Sequence, residues 1–488
     1  MILRCICLLI VLLYIFPACT PSEPDIITQV TVLQKEGAFT GAEDLIKTYI
    51  DKYPALDSLT IRSLHFELER CKRIRLDYNL SEADLLNQLQ SRLDNVSKEE
   101  FDRWQKAGWF DMLIIDGEKR FVAPSVSNLL FRHPELRERQ QNYNPSSNLA
   151  RVIQTHVEQL TELAAVHPDP VLLPRTSRVR QTITVKAGEV PGSETVRCWL
   201  PYPSVFETQG AVKFTTANHN PLWVASPGSP IRSVYFEDRM PVEESLEFTI
   251  AYEYTAYAFY QQVDPARIQL FDESEDVYRF YTREEYPHEV FSDEMRQLSL
   301  AITGQEQNPY LKGKQIYDWI ADNIAYSYAR EYSTLRNISA YCLENKYGDC
   351  GQEAILFITL CRIAGIPARW QSGFMTFPGD VGMHDWAEIY IKPYGWLPVD
   401  PYMGIFFTSV TEDLDPVTRR GLRDFYYGNI DHFRLVANKG HNQALYPEKM
   451  HIRSETVDFQ RGEVEWSGEN LYFNQWKWSI DIADAGEK

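Results

Sequence analysis

The sequence has little positive charge, few cysteines and almost no long apolar segments. It holds 49 lysines and arginines against 68 aspartates and glutamates, which gives a formal net charge of −19. This acidic balance argues against nucleic acid and anionic membrane surfaces as partners, because both repel a negative protein. No Cys-x-x-Cys or His-x-x-x-His spacing and no EF-hand-like run occurs. We therefore predict neither a metal nor a cofactor.

The one long apolar run lies near the N-terminus, at residues 6–16 after Arg4, and it is too short to cross a membrane with proper flanks. It leads into Ala18-Cys19, a small residue before a cysteine, which is typical of a bacterial lipoprotein signal. Ordinary signal cleavage without lipidation is the alternative. The prediction is an exported protein of the bacterial cell envelope that touches the membrane only through lipid on Cys19, with a signal peptide at 1–18 and a tether at 19–29.

Eight cysteines are present, and five remain outside the N-terminal segment: Cys71, Cys198, Cys342, Cys350 and Cys361. An odd number in an exported protein predicts at least one free thiol. Cys198 lies in an alternating strand pattern and Cys361 in an apolar helical one, so both are predicted core residues. Cys342 lies close enough in sequence to Cys350 for a disulfide, although two free thiols are favoured.

The 488 residues exceed what one hydrophobic core accommodates, so several domains are expected. Residues 30–166 read as helical. They carry two helix-capping signals, Ser81-x-x-Asp84 and Ser97-x-x-Glu100, and then a hairpin signal at Asp116-Gly117. Helix, helix and hairpin in this order resemble a winged helix. A scaffold or protein-contact role is favoured over DNA binding, because the chain is acidic and predicted to be exported.

Three further regions follow a proline-rich linker. Residues 175–260 alternate apolar and polar positions, which predicts a β-sandwich. Residues 290–440 change from helical to strand periodicity, and residues 441–488 form an aromatic tail of strands predicted to pack on that core. The predicted fold class is therefore multidomain α+β.

Cys350 differs from the other cysteines because it is predicted to begin a helix. Residues 352–364 are strongly apolar with helical spacing, and Gly365 closes the pattern. A helix start favours an anion, so this position predicts a lowered thiol pKa and a nucleophilic thiolate. Gly348 and Gly351 leave room for a substrate backbone, and the N–H of Cys350 is placed to donate to an oxyanion.

His384 opens an alternating strand pattern, and Asp400 ends the strand that returns. If the turn between them is centred on Lys392, the two residues lie directly opposite, with Cβ atoms roughly 5 Å apart. A carboxylate in this position orients an imidazole. A slip of one residue would break the contact.

The same hairpin register places Glu388 opposite Trp396, and Glu388 is expected to bond locally or to line the cleft. Asp385 is the rival orienter for His384. Alternation directs its side chain to the opposite face of the strand, so it is not favoured.

Together these segments resemble the bacterial transglutaminase-like core, a branch of the papain-like cysteine superfamily. The resemblance covers residues 315–404 and rests on Gly348-Asp349-Cys350, Gly365-Ile366-Pro367-Ala368-Arg369, Gly373-Phe374, His384-x-Trp386-x-Glu388 and Trp396-x-x-x-Asp400-Pro401. It implies Cys350 as nucleophile, His384 as general base and acid, and Asp400 as orienter. It also implies a cysteine helix packed on an antiparallel sheet, and an Ig-like domain at 175–260.

Relatives often add a side-chain oxyanion donor before the cysteine, for which Tyr341, Asn345 and Tyr347 are the candidates. The reaction implied is attack of the thiolate on an amide or ester carbonyl of a peptide-like or protein substrate, forming a thioester. Water would make the protein a peptidase or amidase, and an amine would make it an acyltransferase. The alternative is a non-catalytic binding or assembly lipoprotein that uses the same fold.

Overall fold

The computed structural model describes residues 25–141, 148–409 and 414–486. The predicted signal peptide and the predicted lipidation site, Cys19, lie outside these residues. The tether predicted at 19–29 overlaps the first helix, which starts at Ile26. Among the described residues, no helix combines the length and the apolar composition needed to cross a bilayer.

The helices of the described residues are α1 (Ile26–Lys35), α2 (Phe39–Lys52), α3 (Ser58–Asp77), α4 (Glu82–Arg92), α5 (Lys98–Lys106), α6 (Ser125–Arg132), α7 (Leu149–Ala164), α8 (Asp276–Tyr281), α9 (Asp293–Thr303), α10 (Pro309–Asn323), α11 (Ile338–Asn345), α12 (Cys350–Ile363), α13 (Pro401–Ser409) and α14 (Pro416–Phe425). The strands are β1 (Met112–Ile115), β2 (Glu118–Phe121), β3 (Val171–Val185), β4 (Thr195–Pro201), β5 (Gln209–Ala217), β6 (Trp223–Val224), β7 (Ser233–Arg239), β8 (Leu246–Phe259), β9 (Ala325–Tyr326), β10 (Tyr347–Gly348), β11 (Ala368–Phe377), β12 (Asp380–Ile391), β13 (Gly395–Val399), β14 (Arg434–Asn438), β15 (Glu463–Trp466), β16 (Asn470–Leu471) and β17 (Trp476–Asp484).

Internal contacts divide the chain into a smaller unit, Met1–Lys72 with Leu113–Lys119, and a larger unit, Arg73–Met112 with Arg120–Lys488. The division cuts through the helical region predicted at 30–166. In the smaller unit, α1, α2 and most of α3 bury apolar side chains that include Val30, Phe39, Ile46 and Leu64. Asp116, at the hairpin turn, accepts a hydrogen bond from the backbone N–H of Thr40 in the first turn of α2.

The predicted capped helices and the hairpin are confirmed. Ser81 and Asp84 form a capping box at α4, and the Ser97 hydroxyl accepts from the N–H of Glu100 at α5. β1 and β2 pair through a turn whose central residues, Asp116 and Gly117, both have positive φ. In the larger unit, α4, α5 and α6 share a core with the end of β2, formed by Leu85, Leu89, Phe101, Trp104, Phe121 and Leu129. The likeness to a winged helix stays a prediction.

Two antiparallel sheets of the larger unit pack around one apolar core. Their strand orders are β16-β15-β4-β7-β6 and β17-β3-β8-β5. The alternation that predicted β3 is confirmed, because Val179, Gln181, Ile183 and Val185 are all buried. Cys198 is fully buried in the shared core, as predicted. These sheets have the architecture of a β-sandwich, and the finer Ig-like likeness stays a prediction.

The aromatic tail has two sets of contacts. Its strands were predicted to pack on the core at 290–440, and Trp478 contacts Phe374 of β11 with ring centroids 6.3 Å apart. The same strands also complete the sandwich, which was not predicted. β17 pairs with β3 along nine residue pairs, from Trp476↔Val185 to Asp484↔Ser177, and β15 pairs with β4. Alternation identifies a strand and its buried face, but it carries no information about which neighbour that strand joins.

The region 290–440 contains a four-stranded antiparallel sheet, in the order β13-β12-β11-β14, against which α12 packs. Asp349 begins the helix with a capping box: its carboxylate accepts from the N–H of Gln352, whose side-chain oxygen accepts from the N–H of Asp349. The helix prediction is therefore confirmed, with Cys350 as its first residue. Cys361 is fully buried, as expected of a core residue.

The β12–β13 hairpin differs in register from the prediction by two residues. Ile391 pairs with Gly395, so the turn is centred on Pro393 and not on Lys392. Glu388 consequently lies opposite Pro398, and not opposite Trp396. A shift of two residues keeps every side chain on its predicted face, since the strand repeat is two.

Candidate active site

His384 and Asp400 meet across the β12–β13 hairpin. Nε2 of His384 lies 2.8 Å from Oδ2 of Asp400, and both side chains are buried. Asp400 follows β13 directly and begins α13, where its Oδ1 accepts from the N–H of Met403. The imidazole also stacks on Trp386, with ring centroids 5.7 Å apart. The carboxylate is therefore held by a helix start while its second oxygen faces the imidazole.

Arg434, on β14, shares the same carboxylate oxygen. Its Nη1 donates to Oδ2 of Asp400 at 2.8 Å, and its Nη2 donates to Asp431 at 2.8 Å. Burial alone would raise the pKa of Asp400, but the charges of His384 and Arg434 outweigh it and hold that pKa below its ordinary value. Burial lowers the pKa of His384, and Asp400 partly opposes this. The ionised form of Asp400 is thus favoured by both cations, while burial of His384 works against its protonation.

Cys350 does not face this pair directly. Its Sγ lies 3.8 Å from Oδ2 of Asp385, and in the described part of the chain no hydrogen bond joins it to His384. Tyr402 is a neighbour of both His384 and Cys350. Its ring centroid lies 5.3 Å from that of His384. The pKa of its hydroxyl is raised by burial and then by the charge of Cys350. The three predicted residues thus lie in one region, with Cys350 turned towards Asp385.

The expected lowering of the thiol pKa is not observed. Burial raises the pKa of Cys350 well above its usual value, and the carboxyl groups of Asp385, Asp349 and Glu353 act in the same direction. The cysteine is only 8% exposed. The helix start is present as predicted, but a few partial charges do not compensate for removal of the thiolate from water.

Asp385 is held by a segment from the far end of the chain. Nε2 of Gln460 donates to Oδ1 of Asp385 at 2.9 Å and to the backbone carbonyl of His384 at 3.2 Å. Asp385 is not the partner of His384, in agreement with the predicted strand face. It also lies close to Gly351, where an added Cβ would stand 2.7 Å from its Oδ2 and 2.1 Å from the hydroxyl of Tyr332.

The three predicted oxyanion donors are engaged elsewhere. The Tyr341 hydroxyl donates to Asp111, the Asn345 amide donates to the carbonyl of Tyr341, and the ring of Tyr347 lies under Arg132. Tyr326 is better placed. Its strand, β9, pairs with β10 so that Tyr326 lies beside Gly348, two residues before the cysteine, and Cys350 contributes to the raised pKa of its hydroxyl.

Comparison with known proteins relates the residues of this site to a protein family. Residues 296–401, which include Cys350, His384 and Asp400, match the family model described as the transglutaminase-like superfamily. The chain carries a transglutaminase-like domain. Over 190 residues the chain is 25% identical to the uncharacterised protein YebA of Bacillus subtilis (strain 168), a match that covers 34% of this chain and 25% of YebA. The chain thus spans about a quarter of that relative's length.

Two solved structures are similar to parts of this chain. A candidate cysteine protease from Cytophaga hutchinsonii is 14% identical with a TM-score of 0.39, covering 65% of this chain and 93% of that protein. The periplasmic domain of TgpA from Pseudomonas aeruginosa is 15% identical with a TM-score of 0.26, covering 54% of this chain and 95% of that domain.

Several side chains of the site lie outside the transglutaminase-like domain or outside its recognisable motifs. Arg434 and Gln460 follow the domain in sequence, and Asp385 stands between two motif residues. The sequence did not predict either Arg434 or Gln460, and no local pattern marks Gln460. Arg434 belongs to a short buried strand pattern, in which a charged residue between apolar neighbours was the only available signal.

One group in the described residues has the donor types of a metal site. Glu285, Glu289 and His441 place ligand-type atoms within 4.8 Å of one another. Nη1 of Arg362 lies 3.3 Å from each of the two carboxylates, and Nε2 of His441 lies 2.8 Å from Glu289. This positive charge already offsets the carboxylates, so the group is explained as a buried ion-pair cluster.

A cavity of about 450 Å³ lies next to the pair, between the sandwich and the sheet of the transglutaminase-like domain. Trp386, Glu388 and Arg434 line it, and Cys350 does not. The cavity therefore reaches the side chains that support His384 and Asp400, but not the thiol.

Proposed function

We propose that this protein is a cysteine enzyme that forms a thioester with an amide of a peptide-like or protein substrate. The observation that carries the proposal is the 2.8 Å contact between His384 and Asp400, in a domain whose central helix begins at Cys350. A binding module does not need a thiol at a helix start together with an imidazole held by a buried carboxylate.

In the proposed reaction, His384 takes the proton of the Cys350 thiol, and the sulfur forms a bond to the substrate carbonyl carbon. The carbon–nitrogen bond then breaks, and His384 returns the proton to the leaving amine. The N–H of Cys350 and the hydroxyl of Tyr326 are the proposed oxyanion donors.

The thioester is resolved by water or by an amine. Water releases the acid and makes the protein a peptidase or amidase, whereas an amine makes it an acyltransferase. We favour water, because it is in excess around a protein of the cell envelope. The alternative, a non-catalytic binding or assembly protein, is supported by the burial of Cys350 and its raised thiol pKa.

The test is incubation of the protein with a library of glutamine-containing peptides, with and without a primary amine, followed by product mass measurement. Hydrolysis gives the acid in both cases, and acyl transfer gives the amine adduct only when amine is added. Cys350→Ala is expected to abolish turnover, since it removes the nucleophile. Cys361→Ala is the control, because Cys361 is a core residue of the same helix. Turnover by Cys350→Ala would refute the mechanism.

We also propose that the protein is exported and anchored by lipid on Cys19, in keeping with its apolar N-terminal run and Ala18-Cys19. Expressed in a bacterial host, the wild-type chain is expected in the detergent phase after phase partitioning. Cys19→Ser is expected to move to the aqueous phase. Unchanged partitioning of the variant would contradict the anchor.

A further inference from the structure

Asp385 contacts the sulfur of Cys350, although neither the family motifs nor the proposed mechanism uses it. Its Oδ2 lies 3.8 Å from Sγ, which is hydrogen-bonding distance for sulfur, and the side chain is 2% exposed. A buried carboxyl group beside a nucleophile has two opposite effects, depending on its proton. An ionised carboxylate repels a thiolate, whereas a neutral carboxylic acid donates a hydrogen bond to it.

Gln460 determines which oxygen of Asp385 carries a proton. Its amide nitrogen lies near the carbonyl of His384, which only accepts, so this end of the side chain is the NH₂ group. The same NH₂ donates to Oδ1 of Asp385. Oδ1 is therefore the acceptor oxygen, and the proton of a neutral carboxyl group belongs on Oδ2, the oxygen that faces the sulfur.

The surroundings of Asp385 favour the neutral form. From α12 and its cap, Cys350 and Asp349 face it. From the loop before α11, Tyr332 faces it. From the C-terminal segment, Glu455 and Asp458 face it. From β11, Ser372 lies opposite it. These neighbours are acidic or neutral. Burial raises the pKa of Asp385 well above its usual value, as do the charges of Asp349 and Glu455, against the opposing effect of hydrogen bonds from Ser372 and Cys350. Arg461, the nearby cation of that segment, is already paired with Glu331.

We propose that Asp385 is a further catalytic residue, a neutral carboxylic acid that donates the hydrogen of its Oδ2 to the sulfur of Cys350 and stabilises the thiolate. The thiol proton goes to His384, and the carboxyl proton stays on Asp385. The role rests on the proposed function of Cys350 as nucleophile. It supplies what the site otherwise lacks, a strong donor to a thiolate that burial disfavours.

The test is the rate at which iodoacetamide alkylates Cys350, measured between pH 5 and 10 by mass spectrometry of its peptide. Asp385→Ala removes the donor and is expected to slow alkylation near neutral pH by about 10- to 100-fold, the range of a hydrogen bond to a charged group. Asp385→Asn keeps a donor that cannot ionise. Its rate is expected to match the wild type at low pH and to exceed it increasingly once the wild-type carboxyl ionises.

Faster alkylation of Asp385→Ala than of wild type would overturn the proposal, because it would show that Asp385 repels the thiolate. A constant ratio between Asp385→Asn and wild type at all pH values would also overturn it, and this comparison remains valid if the alanine variant does not fold. Asp380→Asn is the control: it makes the same change on the same strand, at an exposed carboxylate. Alkylation measures only the reactivity of the Cys350 thiolate and requires no turnover. A result that overturns the role of Asp385 is therefore distinct from a loss of turnover, which would contradict the proposed function.

Discussion

Asp400 carries a negative charge where water is excluded, and two donors share one of its oxygens. His384 is one donor and Arg434 is the other. Asp431 binds Nε and Nη2 of Arg434 and so orients its Nη1 towards Asp400. The charge of Arg434 lowers the pKa of Asp431 to about 2, although burial acts in the opposite direction. A guanidinium group is suited to this role, because its fork binds two carboxylates at once.

We expect Arg434→Lys to lower kcat/KM on the peptide selected from the library by about 10- to 100-fold, the cost of a lost hydrogen bond to a charged group. A single ammonium group cannot serve Asp400 and Asp431 together. The pKa of Asp400 should therefore rise, and the acid limb of the pH–rate profile should move to higher pH. The measurement is kcat/KM between pH 4 and 9.

Arg423→Lys is the matched control, because Arg423 also binds two aspartates, Asp318 and Asp322, but does not bind Asp400. Its pH–rate profile should overlay that of the wild type. An unshifted acid limb in Arg434→Lys would show that the charge of Arg434 does not set the protonation of Asp400.

The sequence was informative about the residues that carry local signals. Cys350 was marked by a helix start and glycines, and His384 and Asp400 by strand alternation. Arg434 and Gln460 had no such mark, because their roles arise from tertiary contacts with residues far away in sequence. The raised thiol pKa of Cys350 was missed for a related reason: a helix start is visible in sequence, whereas the depth of burial around it is not.

At the scale of elements, β17 is the strand whose place matters most. It covers the outer edge of β3 and inserts Trp476 into the core of the sandwich. An uncovered edge exposes unpaired backbone groups and invites association with other chains. The strand therefore contributes apolar burial and pairs the backbone of β3, and it becomes the edge of the sheet itself.

We expect Trp476→Ala to lower the free energy of unfolding by about 3–5 kcal/mol, the usual cost of truncating a buried aromatic side chain. Lys477→Ala, at the next and exposed position of the strand, should change it by less than about 0.5 kcal/mol. Urea unfolding followed by circular dichroism is the measurement. Equal effects of the two substitutions would contradict the placement of β17.

Periodicity and capping identified most of these elements, including α4, α5, α12 and the hairpin of β1 and β2. The register of β12 and β13 was wrong by two residues, because the turn closes around Pro393 and its geometry is not encoded in the alternation. The partners of β15 and β17 were missed for a similar reason: many strands with the same pattern compete for the same edge.

At the scale of the whole molecule, buried carboxyl groups dominate the response to pH. Burial, and then Glu331, raise the pKa of Asp77 to about 7, and burial raises that of Asp349 to about 6. In the unfolded chain such groups titrate near 3.9. Unfolding between these values releases protons, so these groups lower stability as the pH rises. Burial of His156 lowers its pKa to about 4 and acts in the opposite direction below about pH 6.5.

We expect Asp77→Asn to be more stable than the wild type at pH 8, with the advantage shrinking as the pH falls to 4. The asparagine has no proton to release, so the difference between the two proteins isolates Asp77. Thermal unfolding from pH 4 to pH 8 is the measurement. A pH-independent difference for Asp77→Asn would contradict the raised pKa.

The sandwich is built from strands on both sides of residues 290–440 in sequence, with β3 to β8 before them and β15 to β17 after them. A ribosome therefore makes residues 290–440 while the sandwich still lacks β15, β16 and β17. Residue Gln460, which contacts Asp385, also emerges only after the whole of that region. The order of synthesis thus delays the contact between Gln460 and Asp385 until the whole of residues 290–440 has been made.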